Sequence, residues 1–212
     1  MEPIRQLPSG RHSLSPRAVE SDQRRRMLAA VTTALEKHGY ARTTVAHVLE
    51  GAGVSRRTFY QQFGDKDDCL LAAYEEAERR VWTRAATAAI DAGGEDWPRR
   101  VRDTLGAVLD FLAAEPVTAR LFTLEARAAL PQIAARQRHA FECAAAALRI
   151  GNRMGRSPDL PESTEATLVA NVAALMGAYV LSGATELLPG LLPQLADHLL
   201  LSYAEAEEAG AP

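Results

Sequence analysis

The sequence predicts an all-α fold of about nine helices, with an N-terminal three-helix domain that contains a helix-turn-helix and a larger C-terminal helical domain. Three observations carry this. The 212 residues contain no proline between Pro16 and Pro98. Apolar residues recur at helical spacing through that stretch and beyond it, and no stretch alternates apolar with polar residues as a half-buried strand would. Apolar residues make up 47% of the chain, enough for a packed core, and the length suits one large domain or two small ones. No internal repeat is visible.

Residues 1–20 read as a flexible basic arm, because Pro3, Pro8 and Pro16 with Ser9, Gly10, Ser13 and Ser15 oppose regular structure. The first helix is expected over residues 21–38, with Met27, Leu28, Val31 and Leu35 on one stripe and Gly39 as its stop. Thr44 caps a short second helix whose Val45, Val48, Leu49 and Ala52 fall at i, i+3, i+4 and i+7. Gly53 breaks it, Val54 plugs the turn, and Ser55 caps a third helix over residues 56–63 with Phe59 and Phe63 on its inner face. Gly64 ends that helix. Asp65 then caps a long fourth helix to about residue 92, with Asp67 and Asp68 favourable at its positive end. Prolines open the next three helices, over residues 98–114, 116–130 and 131–153. Gly155, Pro158 and Pro161 form a loop, a long helix follows over residues 163–187, and Pro189 and Pro193 lead into a last helix ending near residue 208. The domains expected are 1–20 (arm), 21–65 (the first three helices) and 66–212 (the longer helical remainder).

Net charge is −3, which says little by itself, but the charge is unevenly spread. Residues 1–66 carry 11 basic and 6 acidic groups, and the remainder carries 13 and 21. A basic front on an acidic body fits an attached nucleic-acid-binding module, or two solvated surfaces that differ by chance.

Residues 43–66, TTVAHVLEGAGVSRRTFYQQFGDK, decide between these. Two short helices joined by a glycine-containing turn make a helix-turn-helix. Arg56, Arg57, Thr58, Tyr60, Gln61 and Gln62 point outward from the third helix, with Ser55 at its N-terminal end. Arginine pairs bidentately with guanine, glutamine pairs with adenine, and the threonine methyl touches thymine. Tyr60 and Lys66 suit phosphates, which position without specifying. Thr44, at a helix N-terminus, offers its hydroxyl and backbone N–H groups to another phosphate. Two ordinary helices with a polar solvent face would mix charges of both signs, and no acid lies between Ser55 and Gly64.

The segment resembles the TetR family of transcriptional regulators. The matching residues are Gly39-Tyr40, Thr44-Val45, Ala52-Gly53-Val54-Ser55, Thr58-Phe59-Tyr60, Phe63 and Lys66, followed by Leu70. The resemblance spans residues 22–74. Leu49 departs from it, standing where the family usually has alanine, on the packing side of the second helix and away from the DNA face. The resemblance implies a homodimer that binds DNA through its first three helices, binds a small-molecule effector through its later ones, and represses transcription until the effector arrives. Two recognition helices about 34–36 Å apart would then read a palindromic operator. Arg11, His12 and Arg17 ahead of the first helix form a solvated terminus, with a minor-groove arm as the alternative.

Residues 166–185 carry no charge. Their Thr167, Asn171, Ser182 and Thr185, their many alanines, and the flanking Glu165 and Glu186 argue against a membrane span. The stretch reads instead as a helix buried against its own core and a partner subunit. Leu188, Leu192, Leu195 and Leu199, spaced 4-3-4, form the expected dimer seam, unless the same stripe seals the monomer's own core. The expected effector pocket draws on Phe111, Phe122, Glu125, His139, Phe141, Asn171, Met176 and Tyr179, with Trp82, Trp97, Leu121, Cys143 and Met154 as further large or polar residues of the later helices. A hydrophobic or amphipathic effector suits them. No glycine loop for phosphates is present, no cofactor is expected and no metal-ligand spacing occurs.

The five histidines stand apart, with no HExxH, no GxSxG and no suitable carboxylate pair, so an enzyme is disfavoured. A DNA-free binding module is disfavoured by the acid-free third helix. Cys69 and Cys143 are too far apart in sequence for a zinc site and read as inert core thiols, a redox switch being the lesser alternative. No apolar leader opens the chain, and the expected compartment is the cytoplasm.

Overall fold

The computed structural model describes residues 15–93, 96–122, 130–155 and 163–209. Among these residues there are helices and turns and no strand. The helices are α1 (Pro16–His38), α2 (Val45–Ala52), α3 (Arg56–Tyr60), α4 (Lys66–Asp91), α5 (Trp97–Ala114), α6 (Pro116–Ala119), α7 (Pro131–Gly155), α8 (Thr164–Leu181) and α9 (Leu192–Ala209). Short 3-10 turns cover Tyr40–Arg42, Arg120–Phe122 and Thr185–Leu191. Arg11, His12, Glu125 and the loop at Pro158 and Pro161 lie outside the described residues, as does the side chain of Met154.

The chain divides into two compact units, Met1–Glu75 and Glu76–Pro212, and the division falls inside α4. In the first unit α1 packs along α2. Its core holds Met27, Val31 and Leu35 of α1, Val48 and Ala52 of α2, Phe59 and Phe63, and Leu70 and Tyr74 of α4. In the second unit α5, α8, the 3-10 turn at 185–191 and α9 share one core, built on Leu109, Leu168, Leu188 and Leu195.

Four expected boundaries move. Helix α1 starts at Pro16, because Ser15 caps it through the Ala18 N–H and proline is accepted at the first helical position. Residues 16–20, expected in the arm, are therefore helical. Helix α3 stops at Tyr60, leaving Gln61 and Gln62 in the turn that follows. Of the helix expected over 116–130, the described part is a single α turn followed by a 3-10 turn through Phe122, and residues 123–129 lie outside the described residues. Helix α8 ends at Leu181, followed by Gly183 with φ of 79°.

Leu188, Leu195 and Leu199 are 0%, 2% and 6% exposed and sit inside their own chain. Leu192 is half-buried and packs on α5 at Gly106. The leucine stripe thus packs into the core of its own unit.

Candidate nucleic-acid interface

The site begins with backbone chemistry. Gly39 (φ 69°) turns the chain out of α1. The Thr43 hydroxyl donates to the Gly39 carbonyl at 2.8 Å and pins the 3-10 turn. Thr44 caps α2, accepting from the His47 N–H. Gly53 adopts the left-handed conformation (φ 61°, ψ 43°) that glycine enters without a Cβ penalty. Its N–H and that of Val54 close the turn on the Leu49 and Glu50 carbonyls. Ser55 then caps α3, its hydroxyl accepting from the Thr58 N–H at 3.1 Å and lying 2.9 Å from the Thr58 hydroxyl.

Helix α3 has five residues and would not hold by itself. Phe59, 0% exposed, anchors it in the core, and its ring lies 5.5 Å from that of Phe63. Full burial of one such side chain contributes about 1.5–3 kcal/mol. With Phe59 inward, helical geometry turns Arg56, Arg57 and Tyr60 outward; all three are exposed, as is Gln61. Thr58 and Gln62 are half-buried.

Lys66 stands apart from this face. Its ammonium donates to the carbonyls of Tyr40 and Thr43, both at 3.1 Å, and lies 4.2 Å over the Tyr40 ring. The Tyr40 hydroxyl donates to the Asp67 carboxylate at 3.1 Å. Burial, with that carboxylate, raises the Tyr40 phenol above its usual range. Lys66 thereby fastens the 3-10 turn to α4.

The early start of α1 carries Arg17 and Glu20 onto a helix. Arg17, Glu20, Ser21 and Arg24 line a surface cleft together with Gln61 and Gln62. The Gln62 amide donates to the Glu20 carbonyl at 3.4 Å, and the Arg24 guanidinium lies 4.7 Å over the Phe63 ring. Sequence reasoning placed Arg17 in the arm and gave Arg24 no role. The Ser15-Pro16 pair, a cap followed by a first-turn proline, is the signal that places Arg17 on α1.

A second cluster ties α1 to α2. Arg26 donates to the Ala52 carbonyl at the end of α2 and pairs with Asp22 at 3.0 Å, and Arg25 joins Asp22 at 2.5 Å. Burial pushes the Asp22 carboxyl up, but the two guanidiniums outweigh it and hold the group below the usual carboxylate range.

Four of the expected pocket residues meet at one core. Phe111 is buried, with the Arg80 guanidinium 4.9 Å over its ring. Phe122, Met176 and Tyr179 pack half-buried against the same core. His139 is exposed, Phe141 is half-buried, and Asn171 is exposed with its amide 3.4 Å from His198 Nε2. Of the further residues, Trp97 and Leu121 are buried, whereas Trp82 and Cys143 are exposed. Among the described residues no group of three or more His, Cys, Asp or Glu could hold a metal ion.

Residues 28–73 match the bacterial regulatory proteins, tetR family. Over 116 residues the chain is 29% identical to the HTH-type transcriptional regulator EthR of Mycolicibacterium smegmatis, covering 55% of this chain and 52% of that protein. Over 94 residues it is 32% identical to the HTH-type transcriptional regulator BetI of Stenotrophomonas maltophilia, covering 44% of this chain and 45% of that protein. The chain thus spans about half the length of these curated relatives. Among solved structures, the fatty acid degradation regulator FadR of Bacillus halodurans superposes with a TM-score of 0.75 at 18% identity, covering 89% of this chain and 97% of that one. FadR of Bacillus subtilis, solved in complex with stearoyl-CoA, superposes with a TM-score of 0.70 at 16% identity, covering 82% and 96%.

Proposed function

We propose that this chain is a DNA-binding transcriptional regulator of the TetR family, a homodimeric repressor that leaves a palindromic operator when a small molecule binds. The observation that carries this is the exposed, acid-free segment from Arg56 to Gln62, held outward by buried Phe59 and Phe63. Arg56, Arg57 and Gln61 read base edges, and Tyr60 and Thr44 take phosphates. Arg17 and Arg24 extend the phosphate contacts along the α1 side of the cleft.

A second copy completes the molecule. Helix α8 is long and charge-poor, yet only 22% of its residues are buried within the chain. Ala166, Ala170, Ala174, Ala178 and Leu181 lie exposed along it. Small residues on an apolar face allow a helix of a partner to approach closely. Gln194, Asp197 and Leu201 of α9 are exposed beside Asn171 and Leu175 of α8. These residues, rather than the buried leucine stripe, are the surface for the partner.

The effector reading is coarser. The apolar core around Phe111, Phe122, Met176 and Tyr179 suits a hydrophobic or amphipathic molecule, the class to which the stearoyl-CoA bound by Bacillus subtilis FadR belongs. In vitro selection of duplexes from random DNA tests the central claim. A palindromic consensus is the expected result, and recovery of unrelated sequences overturns specific binding.

A further inference from the structure

Helix α7 turns the polar side chain of Gln137 inward. Gln137 is 8% exposed. Ile133 and Phe141, one turn to either side on the same helix face, are buried and half-buried. The Gln137 Nε2 donates to the Phe122 carbonyl at 3.1 Å. Its Oε1 is buried, and no donor among the described residues reaches it. The orientation of the amide follows from its partner, since the reverse would set two carbonyl oxygens against each other. A buried acceptor without a donor is costly, and nearly all buried polar groups find a partner.

Gln137 is thereby tied to the residue that walls the effector core. Phe122 packs against the core that contains Phe111, and Met176 and Tyr179 pack against the same core. Two guanidiniums of this region are already matched with carboxylates. Arg80, over the Phe111 ring, pairs with Glu115, and Arg136, next to Gln137 in the chain, pairs with Glu78 at 3.5 Å. An anionic head group would meet the negative end of an amide dipole, with these two counter-charges engaged elsewhere.

Building on the effector reading above, we propose that Gln137 is the polar anchor of the effector site, and that the effector is an uncharged apolar molecule carrying a hydroxyl or amide N–H donor. The donor bonds to Oε1 while Nε2 keeps the Phe122 carbonyl, so both halves of the amide are satisfied when the ligand is bound. An uncharged donor also escapes the desolvation cost that an ammonium would bring into an apolar core. Esters and thioesters, which only accept, gain nothing from Oε1.

Isothermal titration of the full chain with 1-octanol, methyl octanoate and octanoate at neutral pH tests this, because the three share a chain and differ in the head group. Octanol is expected to bind at least about tenfold tighter than methyl octanoate, the worth of one buried hydrogen bond, and tighter still than octanoate. In Gln137→Met, which keeps the length of the side chain, octanol should lose that preference while methyl octanoate binds as in wild type. Circular dichroism and melting temperature check that the variant folds, and the wild-type ranking decides the matter if it does not. Octanoate or methyl octanoate binding as tightly as octanol overturns the proposal, as does an unchanged preference in the variant. Binding of none of the three overturns it as well and leaves Oε1 to a water molecule. The DNA-binding reading is then untouched, because duplex selection tests it without any effector. Conversely, failed duplex selection with the octanol preference intact would sink that reading and leave the anchor standing.

Discussion

Arg57 and Tyr60 are exposed on a helix held by Phe59, so removing either leaves the fold intact and strips the outward face. Arg57→Ala or Tyr60→Ala should reduce specific duplex binding by about 1–3 kcal/mol per lost base contact, read by fluorescence anisotropy with circular dichroism as the fold control. Arg17→Ala and Arg24→Ala should instead weaken all duplexes alike and lower the slope of log K against log salt by about one each. The outward residues of α3 were legible from spacing because one buried phenylalanine orients a whole short helix. Cys143 was not. The alanine run at 144–147 leaves α7 without a clear polar face by which to orient it, so the sequence favoured an inert core thiol where the structure shows an exposed one.

At the scale of single elements, caps and glycines decide the outcome. The Asp22 carboxyl is held below its usual range, so its pairs with Arg25 and Arg26 contribute stability above the ordinary carboxylate pKa and lose it as pH falls through the lowered value. The melting temperatures of wild type and Asp22→Asn should therefore differ at neutral pH and converge on acidification. A constant gap would mean that the ion pairs do not hold α1 to α2. Gly151 on α7 lies against Trp97, and a Cβ there would overlap the indole nitrogen. Trp97 is itself buried edge-on to Tyr203, 4.9 Å away. Gly151→Ala should destabilise the second unit by about 1–3 kcal/mol through overpacking, measured by chemical denaturation. The glycine turn at Gly53, the caps Thr44, Ser55 and Asp65, and the proline-opened helices were legible, because each acts within a few residues of itself. The start of α1 was misjudged because Pro16 was read as a breaker, although the same residue opens a helix when a serine precedes it.

For the whole molecule, the question is which apolar face meets which surface. Leu181→Glu on the exposed side of α8 should shift the protein to monomer at micromolar concentration in sedimentation velocity, with helicity kept. Leu188→Ala should leave association unchanged and cost about 2–5 kcal/mol of stability, since Leu188 is fully buried within the chain. The reverse pattern would return the partner contact to the leucine stripe. The chain's spacing, caps and prolines were enough to establish an all-α architecture and its helix-turn-helix, because these are short-range effects of sterics and hydrogen bonding. They could not say whether the leucines of residues 188–199 face their own core or a partner, nor that Lys66 braces a turn and Arg24 shares a cleft with Gln61 and Gln62. Periodicity states which residues share a helix face. What that face packs against depends on helices distant in sequence, whose arrangement no local pattern encodes.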